Sequence, residues 1–184
     1  MLFLLIIGVI AAVLYQFYVK VIKARNFLNE ALSGIDVQLE RRYDVVPNIL
    51  TIAQKFMDHE KSMITEITEL RTKAMNAASG SAEKFKTESE LSSKLSKLMI
   101  SVENYPQLKS DEVMVEAMKT YQDIEENIAA ARRFYNTALR KLHDAVMIFP
   151  GSLFASCAGD YQKFAYFEAE EGHKKSIKAS DYLK

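Results

Sequence analysis

Residues 117–149 read AMKTYQDIEENIAAARRFYNTALRKLHDAVMIF. Within them Ala117, Tyr121, Ile124, Ile128, Ala131, Tyr135, Ala138, Leu142, Ala145 and Phe149 recur in strict four-three alternation. A helix turns once in about 3.6 residues, so this spacing lays one apolar stripe along a single face. Such a stripe, roughly 50 Å long at 1.5 Å per residue, requires partner helices of similar length packed knobs-into-holes. Asp111 stands where an N-cap belongs, and Pro150-Gly151 closes the helix.

Upstream, Leu91, Leu95, Leu98, Val102 and Tyr105 predict a helix from about Ala82 to Asn104, stopped by Tyr105-Pro106. Further upstream a stripe runs through Leu28, Leu32, Ile35, Leu39, Tyr43, Val46, Leu50, Ala53, Met57, Ile64, Ile67 and Ala74, with Glu60 and Arg71 interrupting it. Asn76–Ser81 ends it with turn residues, Gly80 being the left-handed one. Pro47 falls inside this stripe, where a helix loses a donor at a cost of about 3 kcal/mol. Either the helix kinks there, or Asp44 caps a new helix with Pro47 in its first turn. The unbroken phase of the stripe favours one long kinked helix. Downstream, Leu153, Phe154, Tyr161, Phe164 and Phe167 predict a shorter fourth helix, roughly Ser152 to Phe167. Residues 168–184 (EAEEGHKKSIKASDYLK) are polar, as expected of a tail or partner-binding arm.

At the other end, Met1 to Val19 (MLFLLIIGVIAAVLYQFYV) carries no charged side chain. As a helix it reaches roughly 28 Å, the hydrocarbon thickness of a bilayer. Tyr15, Gln16, Phe17 and Tyr18 fall where an aromatic belt meets the headgroups, and Lys20, Lys23 and Arg25 follow. A signal peptide would begin with a basic region and end in a small-x-small cleavage site, and neither is evident. The expectation is a transmembrane anchor over 1–19 and a cytoplasmic bundle over 20–167. The basic flank places the N-terminus outside.

Composition supports an all-α chain of one soluble domain on an anchor. Six glycines and three prolines in 184 residues leave few turning points. Lys plus Arg and Asp plus Glu both total 24, a balance that argues against a general nucleic-acid binder. A single cysteine, Cys157, excludes an intramolecular disulfide. His59-Glu60 opens like a zinc-protease motif, but the second ligand position is Met63. His143 reads as a boundary residue. Glu170 and His173 form the one Glu-x-x-His pair, where a diiron bundle needs two. Cys157, among small residues, reads as an inert thiol. We therefore expect no catalytic residue, metal or cofactor.

Two polar clusters overlap the stripes. One holds Asp36, Glu40, Arg41, Arg42 and Asp44; the other holds Asp123, Glu125, Glu126, Asn127, Arg132, Arg133, Tyr135 and Asn136. They are either solvated faces with i,i+4 pairs or a partly buried network in which Arg42 or Arg132 meets a carboxylate of the other helix. A network, acting in structure or interaction, would draw on Asp36, Arg41, Arg42, Asp44, Glu126, Asn127, Arg132, Tyr135 and Asn136.

At these clusters the chain resembles the LemA family. The resemblance is carried by Ala24-Arg-Asn, by Ile35 to Ile49 (IDVQLERRYDVVPNI) and by His59-Glu60. Val102 to Lys109 (VENYPQLK), Glu125-Glu-Asn-Ile, Ala131 to Asn136 (ARRFYN), Phe149-Pro150 and Tyr166-Phe-Glu168 continue it. Asp160 departs from it, since an aromatic is more usual after Gly159. The resemblance implies a bacterial inner-membrane protein with one N-terminal span and an up-and-down four-helix bundle in the cytoplasm. It implies no catalytic residues. Genes of such proteins often lie beside those of membrane zinc metallopeptidases, and relatives occur in magnetosome membranes. The expected function is a non-enzymatic scaffold or adaptor working at the lipid bilayer, as a homo-oligomer or with a membrane zinc metallopeptidase. The alternative is an oligomer that shapes or organises the membrane.

Overall fold

A computed structural model describes residues 1–167; the polar tail expected over 168–184 lies outside the described residues. Among the described residues the regular elements are all helical. Helix α1 spans Leu2–Ala53, α2 Lys61–Asn76, α3 Ala82–Val102, a four-residue α4 Pro106–Lys109, and α5 Glu112–Met147. Side-chain pairs fix the directions. Phe27 meets Phe134 and Arg42 meets Glu125, so α1 and α5 run antiparallel. Glu66 pairs with Lys94 and Lys73 with Glu83, so α2 and α3 are antiparallel too. Lys84 reaches Asp36 while Glu88 reaches Arg42, so α3 runs with α1. The bundle is therefore up-down-up-down, around a core that includes Ile35, Leu39, Val46, Ile49, Ile67, Leu91, Leu95, Leu98, Ile128, Tyr135 and Leu142.

Two caps form as their residue types dictate. Ser81 accepts from the Lys84 amide at 3.1 Å and Asp111 from the Met114 amide at 2.9 Å, each satisfying a donor that a helix start leaves free. Gly80 turns with φ +75°, and an added Cβ would stand 2.7 Å from the Phe164 ring, so both backbone and space require glycine.

The first helix departs from expectation in where it ends. It passes through Pro47 without a break, and Asp44 is an ordinary exposed helical residue rather than a cap. The chain reverses after Ala53 instead, through Gln54–Met57 and a 3₁₀ turn at Asp58–Glu60. Met57, with φ −113° and ψ 63°, leaves the helix and buries its side chain completely. The stripe from Met57 to Ala74 thus belongs to the reversal and α2, which returns onto the same core.

Continuity at Pro47 has a physical cause. Proline lacks the N–H that would bond the carbonyl four residues back, and that carbonyl is Tyr43's. Arg71 Nε, from α2, donates to the Tyr43 oxygen at 2.8 Å. The arginine that interrupts the apolar stripe supplies the hydrogen bond that proline removes.

The expected fourth helix also differs. Residues 151–158 form a 3₁₀ stretch, Tyr161–Lys163 a second short one, and Phe164 to Phe167 carry no regular structure. Gly159 at φ +71° separates the two. In this strap, residues 151–158 lie against α1 and α5, while the Ala165 amide reaches the α2–α3 turn and donates to the Gly80 carbonyl at 3.1 Å. The stretch 151–158, α1 and α5 together make the narrow end of the molecule.

That narrow end joins the apolar run. The first helix is one unbroken rod of 52 residues, about 78 Å at 1.5 Å per residue. Its N-terminal part is long and apolar enough to cross a membrane, and its most apolar 18-residue window is nowhere buried.

Candidate functional site

Among the described residues, a wholly buried charge stands at Arg42, on α1. It is fully buried, as is its partner Glu88 on α3. Its Nη2 donates to Glu88 Oε2, while its Nη1 donates to Ser92 Oγ and, at 2.9 Å, to Glu125 Oε1 of α5. Ser92 Oγ in turn donates to Glu125 Oε2 at 3.3 Å, and the Tyr43 hydroxyl donates to Glu88 Oε1. Three helices are thus joined through one guanidinium, whose planar fork of donors suits two carboxylates at once.

Charge and burial act on the surrounding phenols. Burial, opposed by the Arg42 charge, pushes the Tyr43 hydroxyl up to about 12. Tyr121 is raised further, by burial first and by the Glu125 charge second. Both phenols stay neutral near pH 7, so Tyr43 keeps the proton that it donates to Glu88.

A second group lies toward the strap. Tyr135 is buried and donates to the Ala165 carbonyl at 3.0 Å; burial raises its titration as well. Asn136 makes two bonds with Phe167: its Nδ2 donates to the carbonyl at 2.9 Å, and its Oδ1 accepts from the amide at 2.9 Å. The Arg132 guanidinium sits 4.0 Å from the centre of the Phe167 ring. Phe85 of α3 stacks against that ring at 4.3 Å and meets Tyr135 edge-on at 5.3 Å. These residues clamp the end of the strap to α5 and α3.

Asp36 ties the α2–α3 turn to α1, accepting from Ser79 Oγ and lying 3.6 Å from Lys84 Nζ. With Glu40, Tyr43, Asp44, Met75 and Lys84 it lines a shallow cleft of about 410 Å³.

The nine residues singled out in the sequence therefore separate. Arg42 centres the buried network. Arg132, Tyr135 and Asn136 form the strap clamp, and Asp36 sits on the hairpin turn. Arg41, Asp44, Glu126 and Asn127 are exposed; Asp44 shares the cleft of Asp36, and the other three join none of these groups. Asn127 bonds back to its own helix, at the Asp123 carbonyl. The carboxylates that meet Arg42 are Glu88 and Glu125 rather than Glu126. Glu88 and Ser92 carried no mark as site residues, although one signal was present. Stepping back along the α3 stripe from Leu91 by three residues lands on Glu88, a carboxylate where an apolar side chain is due.

Chemically these are clamps. Their acids and bases face one another in the interior or hold chain segments. Among the described residues, no three His, Cys, Asp or Glu side chains converge as metal ligands would. His143 lies between the rings of Tyr161 and Tyr166, with Nδ1 3.3 Å from the Tyr166 hydroxyl.

A family model described as LemA family matches residues 31–180, a stretch that holds the buried network and the strap clamp. No curated protein matches.

Proposed function

The chain belongs to the LemA family, and from that premise we propose that it is a non-enzymatic scaffold, anchored in a membrane by its first 19 residues. The observation that carries this reading is the continuity of α1. One helix runs from a bilayer-length apolar stretch into the centre of the bundle without a linker. A chain whose head worked as a free soluble domain would need a flexible tether instead. The Arg42 network adds to this, because a buried ion pair fixes the register of α1, α3 and α5 more than it stabilises them. The head is thus presented rigidly at a fixed height above the bilayer.

By the positive-inside rule, Lys20, Lys23 and Arg25 support a bundle on the cytoplasmic side, and the family resemblance supports a bacterial inner membrane as the one it stands on. Its occupants there are further copies of the chain or a membrane partner, a zinc metallopeptidase among them. Native mass measurement of the full chain in detergent, with crosslinking in intact membranes, tests the reading. We expect a homo-oligomer or a stoichiometric membrane partner. A monomer that crosslinks to nothing would overturn it, as would turnover of a substrate by the purified chain.

A further inference from the structure

We propose that the end of α5 and the turn after it form a second membrane contact, in which Met147, Ile148, Phe149 and Leu153 seat at the boundary between headgroups and acyl chains beside the anchor. The proposal rests on the anchor reading above and extends it to a part of the chain far from the N-terminus.

The first argument is depth. The rings of Phe27 and Phe134 meet at 5.0 Å between antiparallel helices. Met147 lies as far beyond Phe134 on α5 as Leu14 lies before Phe27 on α1. The end of α5 therefore reaches down to the level of the apolar run. Two contacts agree: Phe154 of the strap meets Tyr18 edge-on at 5.9 Å, and Arg25 donates to the Cys157 carbonyl at 3.4 Å. Leu14 and Phe17 are partly covered where most of the run is open, so the bundle-facing stripe continues into it.

The second argument is exposure. At this level Met147 is 73 % exposed, Ile148 63 %, Phe149 76 % and Leu153 61 %. Four large apolar side chains open to water within seven residues form a concentrated patch at the tip of the molecule. The patch lies at the depth of the exposed apolar surface of α1, which the neighbouring Phe154 meets at Tyr18, and a bilayer already stands there in the anchored protein. Lipid is thus the occupant that geometry supplies without any further partner.

The third argument is charge. Lys20, Lys23 and Arg25 begin directly above the run, and Lys141 lies over the Phe27 ring at 4.8 Å. Aromatic and aliphatic side chains below a band of cations match an interface with anionic headgroups.

The test uses the full chain with Cys157→Ser and one new cysteine, at Phe149, Leu153, Leu5 or Thr65, labelled with an environment-sensitive fluorophore. Each protein is placed in phosphatidylcholine–phosphatidylglycerol vesicles, with or without acyl chains brominated near the headgroup. Far-UV circular dichroism checks folding, and Leu153→Cys carries the test if Phe149→Cys does not fold. The proposal expects the labels at 149 and 153 to lose fluorescence to bromolipid and to resist iodide, while the label at 65 does the opposite. Iodide quenching at 149 and 153, with bromolipid quenching at 5, would overturn this contact and leave the anchor standing. Iodide quenching at 5 as well would overturn both. Protection at 149 and 153 from both quenchers would mean cover by a second copy, and would overturn the lipid as occupant.

Discussion

At the scale of single residues, the decisive group is the Arg42 guanidinium. Two carboxylates depend on it, one of them, Glu88, wholly removed from water. Arg42→Ala leaves that charge buried and unpaired, and such losses cost about 3–5 kcal/mol. Replacing the pair together, as Arg42→Met with Glu88→Leu, should recover most of that loss, because well-packed apolar residues can substitute for a buried ion pair. Urea unfolding of the three proteins measures this; a double variant no better than Arg42→Ala would refute it. The buried phenols give a pH dependence. Tyr43 has an ordinary value of 10.0 and is held at about 12 in the fold. A neutral form favoured by folding contributes stability below pH 10, and that stability is lost as the pH rises toward 12. Tyr121 and Tyr135 are shifted in the same direction, so their contributions also begin to be lost above pH 10. The bundle should therefore lose helicity between about pH 10 and 12, with late phenolate absorbance appearing in step. If every tyrosine ionised near pH 10 while the helices stayed intact, the account of these sites would be wrong.

At the scale of elements, Pro47 and Arg71 form a pair that neither helix explains alone. Arg71→Ala orphans the Tyr43 carbonyl and should cost about 1–3 kcal/mol. In a Pro47→Ala background the restored N–H supplies that carbonyl, so the same substitution should cost less, with a coupling on the order of 0.5–3 kcal/mol. Additive losses in a double-mutant cycle would remove the pairing from the argument. The same elements show what can be read from the chain and why. The stripe of α5 and the Asp111 cap were legible because one-sided burial imprints its period on the sequence. The reversal at 54–60 was not, because Met57 makes it with no glycine or proline, and because α2 returns to the core that α1 left. The strap misled for another reason. Its aromatics Phe154, Tyr161, Phe164 and Phe167 pack one at a time against α1, α5, the α2–α3 turn and α3, and such contacts need no helical period. For the polar sites, Arg42 was visible as a charge beside a stripe. Glu88 escapes the reading because its helix looks like a regular amphipathic one, and Asn136 stands out in the sequence without its partner, which is the backbone of Phe167.

At the scale of the whole molecule, burial divides the chain into a rod with an uncovered apolar end and a head with a filled interior. A charge in the middle of the rod tests that division. Ile10→Arg should weaken membrane retention, since an arginine at the centre of a span costs about 2.5–3.5 kcal/mol on insertion scales. Carbonate extraction of membranes measures it, and the bundle's denaturation midpoint should stay where it was. Retention unchanged by the substitution would count against the anchor. The uninterrupted first helix has one more consequence. With no joint between its two ends, any lean of the apolar end within a bilayer would be a lean of the entire body. From Lys20 to Ala53 the shaft measures roughly 50 Å, and an average inclination of about 20° displaces its far tip sideways by roughly 17 Å. A thinner or thicker bilayer, by changing that inclination, would swing the loop at 54–60 like the hand of a gauge.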